Sequence, residues 1–273
     1  MPFHRISNPN SSSREPSYGH ILIAILAVCT AGFLLLPAVV LISRTGWPQL
    51  AADWQSWGAA PLVLSVATTS VAMVVLMGVG TPLAWRLSQD PGGFFRYVEY
   101  ILVIPLLMPP LVIGLLLVYL YGPYSFFGHL LAIFGISGSN SFFAVVLAEV
   151  YEAAPYYVLA ALAAFDGVDR ALVHTSYSLG LPPGRTFFRV TLPLASPGLA
   201  VALSMAWARA IGAFGAVIVV AYYPHGLPVA IWVALQERGL GYALPLALIL
   251  VLVSLPLPLL TVLWRKNHVV YPN

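Results

Sequence analysis

The sequence predicts an all-α membrane protein built as a bundle of six transmembrane helices. Hydrophobic residues make up 60% of the 273 residues and charged residues only 8%, which is far from the balance of a soluble domain. Apolar stretches long enough to cross about 30 Å of hydrocarbon as helices recur along the chain. No stretch alternates in the manner of a barrel strand, so each span is expected to satisfy its backbone hydrogen bonds as a helix.

The six predicted spans are residues 21–42, 61–85, 97–121, 141–165, 194–222 and 242–264. Residues 1–20 are polar and rich in Ser, Asn and Pro, so we expect a disordered cytoplasmic tail. Residues 21–265 then form one transmembrane domain, and residues 266–273 form a second cytoplasmic tail.

Arginine and lysine between the spans predict the orientation, because cytoplasmic loops carry an excess of both. The expected cytoplasmic side carries Arg5, Arg14, Arg86, Arg96, Arg170, Arg185, Arg189, Arg265 and Lys266. The opposite side carries only Arg44 and Arg238. Both termini and the long loop 166–193 are therefore predicted to be cytoplasmic, and the scattered basic residues form no patch that indicates nucleic acid.

The long cytoplasmic loop is predicted to hold two short helices joined at a glycine. Asp169 can cap a helix that runs through Leu179, with Gly180 as its stop. Pro182 or Pro183 can begin the second helix.

The second short helix combines apolar and basic residues. Phe187, Phe188 and Val190 are apolar, while Arg185 and Arg189 are spaced to lie on one face. Two interpretations are open: an interfacial helix held by anionic lipid, or a docking helix for a cytoplasmic protein.

The motif in this loop resembles that of the permease subunits of ATP-binding-cassette importers. Their loop carries Glu-Ala-Ala, three residues, Gly, nine residues, an aliphatic residue, one residue and Leu-Pro. The matching positions here are Gly180, Val190, Leu192 and Pro193. The Glu-Ala-Ala positions are instead His174, Thr175 and Ser176.

That resemblance implies a fold like the type I importers, with the loop as a coupling helix that docks on an ATPase. The implied docking residues are His174, Thr175, Ser176, Gly180, Pro183, Gly184, Arg185, Phe187, Phe188 and Arg189.

Further stretches are similar to molybdate, tungstate and sulfate permeases. They are IPLLMPPLVIG at 104–114, GPYSFFGHLLAIFGI at 122–136 and RAIGAFGAVIVVAYYPHGLPVAIW at 209–232. The resemblance implies import of a tetrahedral oxyanion, most closely molybdate or tungstate, with sulfate, thiosulfate or another anion as the alternative. It also implies a homodimeric permease in the inner membrane, two ATPase subunits that bind ATP-Mg, and an extracytoplasmic oxyanion-binding protein.

Glu149, Glu152 and Arg209 are the only Asp, Glu, Lys or Arg residues that we place well inside spans. A charge at the centre of a span costs about 2.5 to 3.5 kcal/mol, so each should find a partner. Glu152 and Arg209 lie at similar depths at about 1.5 Å per residue, which predicts that they pair, with Glu149 one turn away. The pair is either a clamp within the bundle or part of the translocation path.

Prolines and small residues indicate where spans bend or pack closely. The third span carries Pro105, Pro109 and Pro110, which are expected to interrupt or kink it. A broken span either lines the path or serves packing alone. The fifth span carries Gly212, Ala213, Gly215 and Ala216, which predict a small-residue face for close helix contact or a gate.

Nothing in the sequence indicates catalysis by this chain. It has no GxxxxGK[ST] phosphate loop, and its six histidines show no metal-ligand spacing, so we expect no cofactor or metal. The rival function is a self-contained secondary transporter that couples ions through Glu149, Glu152 and Arg209. Against it, the chain shows no internal repeat of the kind many such transporters use.

Overall fold

The computed structural model describes residues 18–46, 48, 54, 58–89 and 93–268. The predicted N-terminal tail lies outside the described residues up to position 17, and residues 18–20 already belong to a helix. Of the predicted C-terminal tail, residues 269–273 lie outside the described residues.

The chain divides into two compact units, residues 1–44 and 45–273. In the first unit the described part is helix α1 (Tyr18–Arg44), with Pro37 in its interior. It is apolar and long enough to cross a membrane.

The second unit contains the remaining helices. They are α2 (Ala59–Val75), α3 (Thr81–Gln89), α4 (Gly93–Leu107), α5 (Pro110–Tyr121), α6 (Phe126–Ile133), α7 (Phe142–Asp166), α8 (Arg170–Ser178), α9 (Pro183–Thr186), α10 (Leu192–Ile211), α11 (Val217–Val220), α12 (Leu227–Arg238), α13 (Leu240–Ser254) and α14 (Pro256–His268). Two π-helical turns, Leu76–Gly80 and Phe187–Thr191, join α2 to α3 and α9 to α10.

Among the described residues, five helical segments are long and apolar enough to span a membrane, and the bent pair of α4 and α5 makes a sixth when counted as one span. The predicted all-α class with six spans is confirmed in this sense.

The third span is broken where the prolines predict, and the bend between its halves is 111°. Pro109 has extended backbone because it precedes Pro110, which begins α5. The predicted interruption is therefore confirmed at Pro109 and Pro110. Pro105 lies inside α4 and does not interrupt the helix, so the prediction of an interruption is wrong there.

The fifth span is not the continuous helix that we predicted over residues 194–222. Helix α10 ends at Ile211, residues 212–216 are irregular, and α11 forms a single further turn. We call residues 212–216 the fifth-span break. Gly212 ends the helix, and the expected small-residue face of a helix is instead this irregular segment.

Among the described residues, two helices lie in segments between the predicted spans, where the sequence predicted none. Helix α6 is capped by Ser125, whose Oγ accepts a hydrogen bond of 2.8 Å from the Gly128 amide. Helix α12 follows the fifth span, and its Leu227 amide donates to Ser65 Oγ of α2 at 2.8 Å. Gly239 terminates α12 with a φ of +86°, where glycine is favoured.

Helix α7 lies at the centre of the second unit and packs against α2, α3, α4, α5, α10 and α11. Small residues on α7, including the fully buried Ala144, Ala148, Ala153 and Ala161, let the neighbouring helices approach closely. Helix α7 also carries the two buried carboxylates of the described residues, Glu149 and Glu152.

The break in the third span packs directly against the fifth-span break. A Cβ atom at Gly215 would lie 2.6 Å from Pro110 Cβ, and one at Gly114 would lie 2.7 Å from the Ala216 carbonyl oxygen. Glycine is therefore required at both positions for the two irregular segments to meet. Non-helical backbone at membrane depth is tolerated where protein covers it or a cavity solvates it, and this contact supplies part of that cover.

We predict that Gly215→Ala lowers the free energy of unfolding by about 1 to 3 kcal/mol, because the added methyl group overpacks a contact made with a rigid proline. The measurement is unfolding of the purified chain by SDS titration in mixed micelles. Gly241→Ala is the matched control, since a Cβ there meets nothing within 4 Å. Equal effects of the two substitutions would contradict the close packing of the breaks.

Candidate functional site

Glu149 and Glu152 lie one turn apart on α7 and are both buried, with 3% and 2% of their surface exposed. Together with Arg209 of α10 they form what we call the charged cluster. A carboxylate buried at this level needs partners, and the two residues meet that need in different ways.

Glu152 joins the two parts of the broken fifth span. Its Oε2 lies 2.6 Å from Nη2 of Arg209, which confirms the predicted ion pair. Its Oε1 accepts a hydrogen bond of 3.2 Å from the Ala216 amide. One carboxylate thus holds the last turn of α10 and the far side of the fifth-span break.

Arg209 is the more accessible partner, with 27% of its side chain exposed while the Glu152 side chain is fully buried. Its guanidinium also lies 5.8 Å from the ring centroid of Tyr156. The charge sits in the last turn of α10, where the helix dipole favours a cation.

Glu149 bonds to α2 instead of Arg209. Its Oε1 accepts hydrogen bonds from the hydroxyls of Thr68 at 2.9 Å and Thr69 at 3.2 Å. The single proton of the Thr68 hydroxyl is shared with two carbonyls of its own helix, at 3.0 Å and 3.2 Å. Its Oε2 is buried and has no hydrogen-bond partner among the described residues. Sequence reasoning missed Thr68 and Thr69, although polar side chains inside an apolar span were a signal that could have found them.

The structure brings the predicted path residues together only in part. Pro109 and Pro110 form the break that contacts Gly215, and the fifth-span break also receives Glu152. A Cβ at Gly212 would meet only the Ala208 carbonyl of its own helix, at 3.3 Å, so Gly212 ends α10 and makes no close contact between helices.

The loop 166–193 has the two predicted short helices. Asp169 Oδ1 accepts a hydrogen bond of 2.8 Å from the Ala171 amide and caps α8. Gly180 has a φ of +82°, and Pro183 is the first residue of α9. Helix α9 continues through the second π-helical turn into α10, so the loop ends inside the fifth span itself.

The residues proposed for docking fall into two groups. The exposed ones are His174, Thr175, Gly180, Pro183, Gly184, Arg185, Phe188 and Arg189. Ser176 is buried, and its hydroxyl lies 3.0 Å from that of Thr186, which ties α8 to α9. Phe187 is half-buried, with ring centroids 4.7 Å from Trp85 and 6.2 Å from Phe165.

Phe187 therefore holds the loop to the bundle, and Ser176 holds α8 to α9 within the loop. The other docking residues form the surface of the loop. Arg170 adds a further tie, because its Nη2 donates to the Ser88 carbonyl of α3 at 3.4 Å.

Residues 78–269 match the family described as the binding-protein-dependent transport system inner membrane component. The chain belongs to this family. The match takes in both broken spans, the charged cluster and the loop 166–193. It also decides against a self-contained secondary transporter.

Relatives in this family carry more specific names. The chain is 39% identical over 228 residues to the probable molybdenum ABC transporter permease protein of Haloferax volcanii, which covers 82% of this chain and 83% of the relative. It is 33% identical over 214 residues to the molybdenum transport system permease protein of Mycobacterium tuberculosis, covering 76% and 80%. The molybdate/tungstate transport system permease protein of Pyrococcus abyssi is 29% identical over 192 residues, covering 68% and 72%.

Solved structures confirm the fold of this family member as that of ABC importer membrane subunits. A chain of a bacterial alginate ABC transporter matches with a TM-score of 0.70 and 17% identity, over 90% of this chain and 94% of that one. A chain of the MetNI methionine ABC transporter matches with a TM-score of 0.58 and 18% identity, over 82% and 97%.

We predict that Arg209→Met lowers the free energy of unfolding by about 3 to 5 kcal/mol, because it leaves the Glu152 carboxylate buried without its cation. The double variant Arg209→Met with Glu152→Gln should recover most of that loss. Unfolding by SDS titration of the single and double variants measures both effects. A double variant no more stable than Arg209→Met would show that the pair does not couple.

Thr68→Val should cost about 1 to 3 kcal/mol of unfolding free energy, because it removes a hydrogen bond to a buried carboxylate. Ser70→Ala is the matched control on the same helix, since that exposed hydroxyl donates only to the Val66 carbonyl one turn earlier. The same SDS titration compares them. A loss at Ser70 as large as that at Thr68 would contradict the role given to the Glu149 contact.

Proposed function

We propose that this permease is the membrane-spanning subunit of an ATP-driven importer that carries a tetrahedral oxyanion, molybdate or tungstate, into the cytoplasm. The geometry of the loop 166–193 carries the proposal, because it offers an exposed basic and aromatic face on a segment fixed to the bundle.

The loop is built to pass on a displacement. Its exposed residues Arg185, Phe188 and Arg189 lie beside Phe187, whose ring is wedged against Trp85 and Phe165 of the bundle. A partner that grips the exposed face would therefore move α10 together with the loop. This is the behaviour expected of a docking helix, and it favours a protein partner over anionic lipid for this face.

The assembly proposed is two copies of this chain, two cytoplasmic ATPase subunits and an extracytoplasmic oxyanion-binding protein. ATP-Mg is bound and hydrolysed by the ATPases, and this chain performs no catalysis. The excess of arginine and lysine on the side of the loop 166–193 supports an orientation with both termini in the cytoplasm.

The proposed path runs where the broken third and fifth spans meet. Two irregular segments in contact at membrane depth supply backbone donors and acceptors that a continuous helix would hide. Arg209, Glu152 and the close contact of Gly215 with Pro110 border this point. A shift of α10 driven from the loop would act directly on it.

The substrate follows from the relatives, which are named for molybdenum or for molybdate and tungstate. Sulfate and thiosulfate have the same charge and tetrahedral shape, so they are the alternative cargo. Uptake of labelled molybdate by vesicles that hold the whole assembly separates these candidates. We expect unlabelled molybdate and tungstate to compete with this uptake, and we expect sulfate not to compete.

We predict that Gly184→Glu abolishes transport and at least nine-tenths of binding-protein-stimulated ATPase activity, because it places a bulky anion in the exposed basic face. A Cβ at Gly184 meets nothing within 4 Å, so the permease itself should fold normally. ATPase activity of the purified assembly and the amount of ATPase that co-purifies are the measurements.

Gly184→Ala is the matched control and should keep ATPase activity within about twofold of wild type, since a methyl group fits the open space. Full ATPase activity and transport in Gly184→Glu would contradict docking at this face.

A further inference from the structure

The donors that surround the Glu152 carboxylate are those that would bind an oxyanion. A guanidinium contacts one oxygen at 2.6 Å and a backbone amide donates to the other at 3.2 Å. Charge-assisted hydrogen bonds from arginine and bonds from amides are the usual contacts of sulfate-like and phosphate-like groups. The carboxylate of Glu152 therefore fills a place with the chemistry of an anion site.

Arg209 is also the one arginine or lysine that lies well inside the predicted spans. A dianion that crosses the bundle interior needs a compensating cation there, because an unpaired charge in hydrocarbon is costly. The guanidinium is the partly exposed member of the pair, so an incoming anion can reach it while Glu152 remains covered.

We propose that Glu152 is an internal stand-in for the substrate, and that the tetrahedral oxyanion displaces it from Arg209 and the Ala216 amide during translocation. The inference rests on the proposed function and assigns substrate contacts within it. The exchange replaces one oxyanion by another at the same guanidinium and the same backbone amide.

The exchange links occupancy of the site to the shape of the path. While Glu152 accepts from Ala216, it holds the fifth-span break against α7. When the substrate takes over the Arg209 and Ala216 donors, that tie to α7 is lost and the break is free to move against Pro110 of the third span. Binding of the substrate to Arg209 and release of the fifth-span break are then the same step.

The test is equilibrium binding of labelled molybdate and sulfate to the purified assembly of permease and ATPases, in detergent and without the binding protein. Wild type should bind weakly, because the internal carboxylate competes. Glu152→Gln, which keeps a hydrogen-bond acceptor and the side-chain shape, should bind at least about tenfold more tightly. Adding Arg209→Met to Glu152→Gln should remove the gain.

Glu149→Gln is the matched control, since it replaces a second buried carboxyl one turn away on the same helix that does not contact Arg209. If the loss of any buried carboxyl in the cluster raised affinity, both Gln variants would bind more tightly. A gain confined to Glu152→Gln supports direct competition, whereas equal gains, or no gain in a folded Glu152→Gln assembly, would overturn the proposal.

Glu152→Asp covers the case in which Glu152→Gln does not fold. It keeps the charge but is one methylene too short to reach both donors, so it should bind the anion more tightly than wild type. Wild-type affinity in Glu152→Asp would also overturn the proposal. These outcomes are separate from the proposed function, which fails only if the wild-type assembly with its binding protein does not transport the oxyanion.

Discussion

The carboxylate of Glu152 holds together the two parts of the broken fifth span in the bundle interior. It lies on α7, which packs against six other helices in the described part of the second unit. It joins Arg209 to the Ala216 amide across the fifth-span break. Burying an unpaired carboxylate costs several kcal/mol, so the break in the fifth span and the position of α10 are tied to each other. The second broken span then fits against this point because Gly215 and Gly114 leave room for it.

The helical segment that carries Arg209 begins in the loop 166–193. Residues Pro183–Ile211 form one helical segment of 29 residues, which is roughly 40 Å long at about 1.5 Å per residue. Near the N-terminal end of this segment, Phe187 packs against Trp85 and Phe165. Near its C-terminal end, Arg209 is held by the ion pair with Glu152. An ATPase that moves the loop would therefore act on the charged cluster through one continuous helical segment.

Much of this arrangement could be predicted from the sequence. Caps and breaks depend on a few neighbouring residues, and the ion pair depends on how deep each residue lies in its span. Proline at 109 and 110, the cap at Asp169 and the glycine at 180 each determine backbone shape within a few residues, and Glu152 and Arg209 could be paired by depth. Helix α12 and the break after Ile211 were missed because both depend on distant partners, Ser65 and Glu152. Ser176 was assigned to docking because it occupies the third of the Glu-Ala-Ala positions. Its burial against Thr186 was missed because that contact crosses a turn, which spacing alone does not reveal.

The central claim, that this chain moves substrate only as part of an ATP-driven assembly, has one direct test. The tagged chain is purified from its native membranes in mild detergent, and its stoichiometric companions are identified by mass spectrometry. The preparation is then reconstituted, the oxyanion-binding protein is added, and oxyanion uptake is measured with and without ATP. The account predicts a co-purifying ATPase in equal amount and uptake that requires ATP. A chain that comes out alone and transports without ATP would contradict it.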